Sequence, residues 1–304
     1  MIVVCGEALV DLVPDDSSGA RYTAIPGGSP ANAAVALARL GVPASLLARL
    51  SADSFGRRLR AHLTGNDVDL SMAVAATEAS SLAIVELDDG GAASYRFDIA
   101  GRADWQWVDA EFPAQLPAGV VAIHAGSLAL ALAPGSDAIE RFLVRSKALS
   151  TICIDPNVRP SIVGDLDAMR TAVTRWCGIA DILKASADDV ELLYPGEDAE
   201  AVARRWQAMG PAVAIVTLGG DGVVAASRAG VVRLPAPATT VVDTVAAGDT
   251  FTAGFLAALH DAGVLGGRLS LTDAQLRAAL DYGMRAAAVT CSRVGADPPY
   301  KRDL

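Results

Sequence analysis

Short apolar runs alternate with amphipathic stretches along almost the whole chain. The apolar runs lie at 2–4, 45–49, 120–123, 151–154, 181–183 and 212–216, each short enough for a buried strand. Between them, residues 137–149, 165–177 and 199–209 repeat their apolar positions at helical spacing. This alternation predicts an α/β fold with a mainly parallel sheet and helices on both faces. No internal repeat, low-complexity tract or long linker interrupts it.

One region departs from the alternation. Residues 81–87 and 92–99 read as two strands joined by Asp88-Asp89-Gly90-Gly91, a good hairpin turn. Residues 12–25 are also extended and polar, with Asp15, Asp16 and Gly19 marking a turn. Together these segments predict a small β appendage on a single domain spanning 1–304.

The 304 residues are 52% hydrophobic, enough for a large core, and much of that content is Ala, which suits closely packed helices. A net charge of -10 argues against nucleic acid or anionic membranes as main partners, while leaving room for a local nucleotide site. Cys5, Cys153, Cys177 and Cys291 are scattered, with no Cys-x-x-Cys pair, as expected of reduced thiols in a cytoplasmic protein. The start of the chain reads as a strand, not as a basic segment followed by a signal core. The uncharged stretch 118–134 holds His124, two glycines and Pro134. It reads as strand, loop and short helix, not as a membrane span.

Two stretches carry the chemistry. In the first, Val241 to Phe251, an apolar strand turns through small residues into a helix beginning near Gly248. Small residues let backbone approach a ligand, and a helix N-terminus offers open N–H groups to phosphate. Asp249 sits in the first turn, where an acid also suits the helix dipole with no further role. As a base it would accept a proton from an attacking hydroxyl while the nearby amides hold the phosphoryl charge. The second stretch is Pro26-Gly27-Gly28-Ser29-Pro30-Ala31-Asn32, leading into an apolar helix closed by Gly41. Ser29 as N-cap, Pro30 at the first position and Gly41 as the stop explain a helix. They leave Gly27, Gly28 and Asn32 unexplained, and those residues suit a hydroxyl-rich ligand lying against backbone. A dinucleotide-binding turn is not present, because the first strand leads to Gly6-Glu7-Ala8.

With both stretches in register, the chain resembles the ribokinase-like carbohydrate kinases over its whole length, bacterial fructokinases above all. The resemblance implies a three-layer α/β/α sandwich with a small β-sheet lid, formed here by about 12–25 and 81–104. It implies that Asp249 is the catalytic base and that the amides of Ala246, Ala247 and Gly248 form the anion hole. Asp11, Gly27, Gly28 and Asn32 would bind sugar, and Asn157 and Arg159, in Asp155-Pro156-Asn157-Val158-Arg159, would lie near the sugar or the transferred phosphate. Lys184, Ser186, Thr217, Gly219, Gly222 and Gly248 would border ATP, and Gly295-Ala296 the adenine. ATP and Mg²⁺ are the implied cofactors, with room for a monovalent cation, and a homodimer through the lid is compatible with the family.

Three departures stand out. Ala246 replaces the usual Gly and has less backbone freedom. The family's Asn-x-x-Glu appears as Ser186-Ala187-Asp188-Asp189, leaving Asp189 to hold a metal-bound water, and Lys184 either approaches the nucleotide or is solvated. Relatives acting on 2-keto-3-deoxygluconate resemble one another in a lid Tyr-Arg, where this chain has Asp98-Ile99. An acidic sugar needs a cation for its carboxylate, which Ile99 does not supply, although Arg96 and Arg102 stand nearby. That favours a neutral sugar, and the resemblance of residues 155–159 and 295–299 to fructokinases implies transfer of phosphate from ATP to the primary hydroxyl of fructose. Phosphorylation of 2-keto-3-deoxygluconate, a ribokinase- or adenosine kinase-like activity, and a sensing protein without catalysis are the alternatives.

Overall fold

The computed structural model describes residues 1–15, 20–87 and 93–304; the turn at Asp88 to Gly91 and the residues Asp16 and Gly19 lie outside them. The chain begins with strands β1 (Ile2–Cys5), β2 (Leu9–Pro14) and β3 (Tyr22–Gly27), then helix α1 (Ser29–Arg39). Strands β4 (Ala44–Leu47) and β5 (Arg49–Ser51), helix α2 (Ser54–Gly65) and strands β6 (Val74–Ala76), β7 (Leu82–Leu87) and β8 (Ala93–Asp98) follow. The middle of the chain runs through β9 (Ala122–Gly126), α3 (Ser127–Ala131), α4 (Ser136–Ser146), β10 (Thr151–Asp155), α5 (Pro160–Val163), α6 (Leu166–Ile179) and β11 (Ile182–Ser186). It closes with α7 (Ala187–Leu193), α8 (Ala199–Met209), β12 (Val213–Thr217), β13 (Val223–Ser227), β14 (Gly230–Leu234), α9 (Ala247–Asp261) and α10 (Asp273–Cys291).

The main sheet has the order β14-β13-β12-β11-β10-β9-β1-β4, parallel from β4 to β12 and antiparallel at the β13 and β14 edge. Both faces of its strands apart from the edge strand β14 are buried, as their continuous apolar runs require. In β1, Ile2 and Val4 join the core beneath α1, α2, α9 and α10, whereas Val3 and Cys5 join the opposite core with α4, α6, α7 and α8. The expected three layers follow from this period of two. Among the described residues, no helix is long and apolar enough to cross a membrane.

A second sheet has the order β3-β2-β7-β8. Its strands correspond to the expected appendage, but β2 starts at Leu9 and β3 runs to Gly27, so the sheet reaches directly into the second motif. The pair β2 and β7 is parallel, and the other two pairs are antiparallel.

Two apolar runs divide differently from their sequence pattern. The run at 45–49 is split at Ala48: β4 pairs with β1, and β5 leaves to pair with β6. Buried Arg49 then meets Glu78 and Glu111. The run at 120–123 yields a strand shifted to Ala122–Gly126, with α3 following at once and no loop between. Gly126 permits this, because a Cβ there would sit 2.0 Å from the Asp155 carbonyl oxygen.

Helices α9 and α10 cross at paired glycines. A Cβ on Gly254 would lie 2.9 Å from Gly283 Cα, and one on Gly283 would lie 2.8 Å from the Phe251 carbonyl oxygen. Gly283→Ala therefore forces the crossing apart, and a loss of about 1–3 kcal/mol is expected in chemical denaturation. An unchanged midpoint would mean that the helices accommodate the methyl group without moving.

Candidate active site

Open parallel sheets place ligands beyond the carboxyl ends of their strands. There the chain forms a cleft of about 910 Å³ between the main sheet, the N-terminus of α9 and the second sheet. Ala246 caps α9 in the left-handed region, φ 60 and ψ 12, the conformation for which glycine is the easier residue. The turn is tied down by Asp243, which accepts the Val245 and Gly295 N–H groups at 3.0 and 2.8 Å. The helix starts at Ala247, one residue earlier than the sequence suggests. Ala247 N–H donates to the Thr244 carbonyl at 3.2 Å. From Val245 to Asp249, the amides with no protein acceptor among the described residues are those of Ala246, Gly248 and Asp249, a slightly different set from the expected 246–248.

Asp249 stands at the rim of these amides. Its Oδ1 accepts the Ser29 hydroxyl at 2.6 Å, and its Oδ2 accepts the Asn32 amide at 3.0 Å. Burial raises the pKa of its carboxyl group. The bonds from Ser29 and Asn32 and the charge of Lys184 pull it back, and Asp155 adds to the rise. The N-cap of α1 is Gly28, with φ 101 and no side-chain cap, so the Ser29 hydroxyl does not cap its helix as its position suggests. Gly41, with φ 82, does close that helix.

Asp11, on β2, also lines the cleft, and burial pushes its carboxyl up to about 6. Gly27 lies against Asp11 and not in the cleft: a Cβ there would fall 2.2 Å from Asp11 Oδ2. Gly28 does line the cleft, and a Cβ on it would meet the Glu7 carbonyl at 2.9 Å. Both glycines thus allow strand, carboxylate and helix start to approach one another.

The opposite wall differs more from expectation. Lys184 is neither solvated nor free. It is buried, forms an ion pair with Asp155 at 2.7 Å, and its Nζ would be 3.1 Å from a Cβ on Gly248. It therefore places a positive charge beneath the head of α9. Asp189, expected to hold a metal-bound water, lines the cleft and also caps α7. One oxygen accepts Ser186 N–H and Oγ–H at 2.8 and 2.7 Å, and the other accepts Val158 N–H at 2.7 Å. Ser186, Thr217 and Gly219 line the cleft, but Gly222 does not. A Cβ on Gly222 would strike the Leu234 carbonyl at 2.0 Å, so that glycine serves the β13–β14 edge. Asn157 and Arg159 reach the cleft. Arg159 donates to the Val158 carbonyl at 3.2 Å and has no carboxylate partner among the described residues.

The second sheet turns Tyr95 and Phe97 toward the cleft, beside Leu9, Asp11 and Ala83. Arg96 pairs with Glu86 at 2.9 Å, and Arg102 pairs with Asp98, so neither supplies the free lid cation that an acidic sugar would want. Ile99 packs against the core. Sequence reasoning missed Glu7, Ser127, Thr244, Tyr95 and Phe97 as cleft residues. Only the two aromatics carried a signal, as alternate positions on one face of a hairpin. Glu7 is buried, accepts Ala129 N–H at 3.2 Å and has its carboxyl pushed up to about 7 by burial.

A carboxylate at the rim of open helix amides can accept a proton while those amides hold a growing negative charge. Comparison with known proteins agrees with that chemistry. The profile described as pfkB family carbohydrate kinase matches residues 1–302. The fructokinase of Rhizobium leguminosarum bv. trifolii is 34% identical over 261 residues, covering 85% of this chain and 79% of that protein. The aminoimidazole riboside kinase of Salmonella typhimurium is 31% identical, over 85% of this chain and 81% of that protein. The fructokinase of Vibrio cholerae, in a crystal structure with fructose, ADP and calcium ion bound, superposes with a TM-score of 0.83. It is 27% identical, with 97% of this chain and 94% of that chain covered. The chain belongs to the pfkB family of carbohydrate kinases and has its ribokinase-like fold.

Proposed function

We propose that the protein transfers the ATP γ-phosphate to the primary hydroxyl of fructose, giving fructose 6-phosphate, with Asp249 as the general base. The observation that carries this reading is the meeting of Asp249, Ser29 and Asn32 at the head of α9. Asp11, Asn32 and the backbone at Gly28 suit a sugar on one side of Asp249, and the open amides suit the phosphoryl group on the other. As the hydroxyl oxygen bonds to phosphorus, its proton passes to Asp249 and the bond to the ADP oxygen breaks. The amides of Ala246, Gly248 and Asp249 hold the charge of the transferring group, and Lys184 beneath them adds to the field. Ser186, Thr217 and Gly219 suit the nucleotide, and Arg159 suits the sugar or its new phosphate. The second sheet would exclude water from the reacting group.

Among the described residues, no cluster of three or more His, Cys, Asp or Glu is arranged for a metal. Asp155 is paired with Lys184, which leaves two cleft residues for a metal-bound water: Asp189, whose oxygens also accept from Ser186 and Val158, and Asp188, exposed and without a partner among the described residues. Such a donor set fits magnesium that keeps its waters and is held mainly by the nucleotide phosphates, whose charge it would neutralise. Fructose is favoured over an acidic sugar because Arg96 and Arg102 are both engaged. A riboside is the second reading, since Tyr95 and Phe97 offer aromatic faces and one relative is an aminoimidazole riboside kinase.

Asp249→Asn is expected to lower kcat by about 10²-fold or more, the scale of a lost general base. Turnover near that of the parent would remove Asp249 from this role. Because burial raises the Asp249 pKa, its proton is retained to a higher pH than usual. The acid limb of kcat should therefore lie above the ordinary aspartate value of about 4. Asp11 takes up its proton near pH 6 and then loses acceptor capacity, so the sugar KM is expected to rise as pH falls through that value. A KM flat across that range would exclude an ionised Asp11 as a sugar ligand. In an ATP-consumption assay over fructose, 2-keto-3-deoxygluconate, ribose, adenosine and aminoimidazole riboside, fructose is expected to give the highest kcat/KM. A higher value for any other acceptor would reassign the substrate.

A further inference from the structure

We propose that Ser29 is a positioning residue for phosphoryl transfer: its hydroxyl holds the Asp249 carboxylate toward the acceptor side and away from the amides at the head of α9. The proposal rests on Asp249 being the base.

The first ground is hydrogen-bond inventory. A serine hydroxyl has one hydrogen, and that of Ser29 goes to Asp249 Oδ1 at 2.6 Å. Asn32 gives one of its two N–H groups to Oδ2 at 3.0 Å, which leaves it a donor and a carbonyl for hydroxyls. Ser29 and Asn32 are three apart on α1 and share a face, yet only Asn32 has hydrogen-bonding capacity of both kinds left for an acceptor.

The second ground is rigidity. Ser29 stands between two anchored neighbours. Gly28 is pressed on the backbone at 7–9, where a Cβ would meet the Glu7 carbonyl at 2.9 Å. Pro30 is buried against Gly6, where a Cβ would fall 2.4 Å from Pro30 Cγ. The hydroxyl thus projects from a fixed point, and it is not diverted to capping, because α1 has no side-chain cap bond.

The third ground is what Asp249 would do without it. Asp249 is the third residue of α9, the position from which an acidic side chain commonly turns back onto the N-cap amide. In this chain α7 and α10 use that return bond, through Asp189 and Gln275. In α9 the cap is Ala246, with no side chain to complete the pair, and both oxygens of Asp249 go to α1 instead. With Ser29 removed, Oδ1 is released toward the open amides of Ala246 and Gly248, which would then hold the base and not the phosphoryl group. The hydroxyl also favours the ionised carboxylate against burial, alongside Lys184 from β11 and against Asp155 from β10.

The test is steady-state kinetics of Ser29→Ala, Ser29→Thr and Asp249→Asn against the parent, over the pH range of activity and after thermal melting of each variant. Ser29→Ala is expected to lower kcat roughly 10- to 100-fold, the span of one charge-assisted hydrogen bond, with the sugar KM within about twofold. Ser29→Thr, which keeps the hydroxyl, is expected to recover most of the loss. A parental kcat in Ser29→Ala, a loss confined to sugar KM, or no recovery in Ser29→Thr would each overturn the proposal. If Asp249→Asn is nearly inactive while Ser29→Ala is normal, only the role of Ser29 falls. If Asp249→Asn turns over like the parent, the base assignment falls with it.

Discussion

The head of α9 must meet the head of α1, and most of the architecture around the cleft follows from that contact. Ser29 and Asp249 are 220 residues apart in sequence and 2.6 Å apart in space. Bringing them together requires backbone approaches that side chains would block. Gly28 sits on the backbone at 7–9 between β1 and β2, Gly27 sits on the Asp11 carboxylate, and Gly254 sits on Gly283 where α9 crosses α10. The Ala-rich faces of α1, α9 and α10 serve the same end, since small side chains let three helices pack closely over one face of the sheet.

The same contact fixes the electrostatics. Asp249 is half-buried at the wall of the cleft, where partial desolvation penalises its charge and hydrogen-bond donors restore it. Lys184 is held in place by Asp155 and lies beneath Gly248, so a positive charge underlies the amides. A buried pair of this kind adds little net stability, but it fixes the orientation of a charge. Here that orientation favours an anion at the head of the helix.

Much of this was legible in the sequence, for physical reasons that differ between residues. The strand and helix alternation followed from periodicity, because both sheet faces are buried and both kinds of helix are amphipathic. Asn32 was visible because a polar residue in an apolar helix start has no structural reason to be there, whereas Asp249, which the helix dipole alone would explain, stood out only with the second stretch in register. Ser29 was misread because a serine before Pro30 has a sufficient local explanation as a cap; only the fold shows that Gly28 takes that position. Asp189 has a second task that its motif does not show, since its oxygens also accept from Ser186 and Val158. Lys184 showed no sign of burial, because its partner Asp155 comes from the neighbouring strand β10 and only sheet order brings them together. Tyr95 and Phe97 could not be assigned to the cleft without knowing which face of the hairpin turns inward.

The central claim is that the Asp249 carboxylate and the open amides of Ala246, Gly248 and Asp249 converge on one transferring phosphorus. A crystal structure with ADP, a planar metal fluoride and the accepted sugar tests it most directly. The account predicts fluoride ligands within hydrogen-bond reach of the Gly248 and Asp249 amides, and the acceptor hydroxyl oxygen about 2.6–3.2 Å from Asp249. A fluoride group bound elsewhere in the cleft, or an acceptor oxygen out of reach of Asp249, would contradict it.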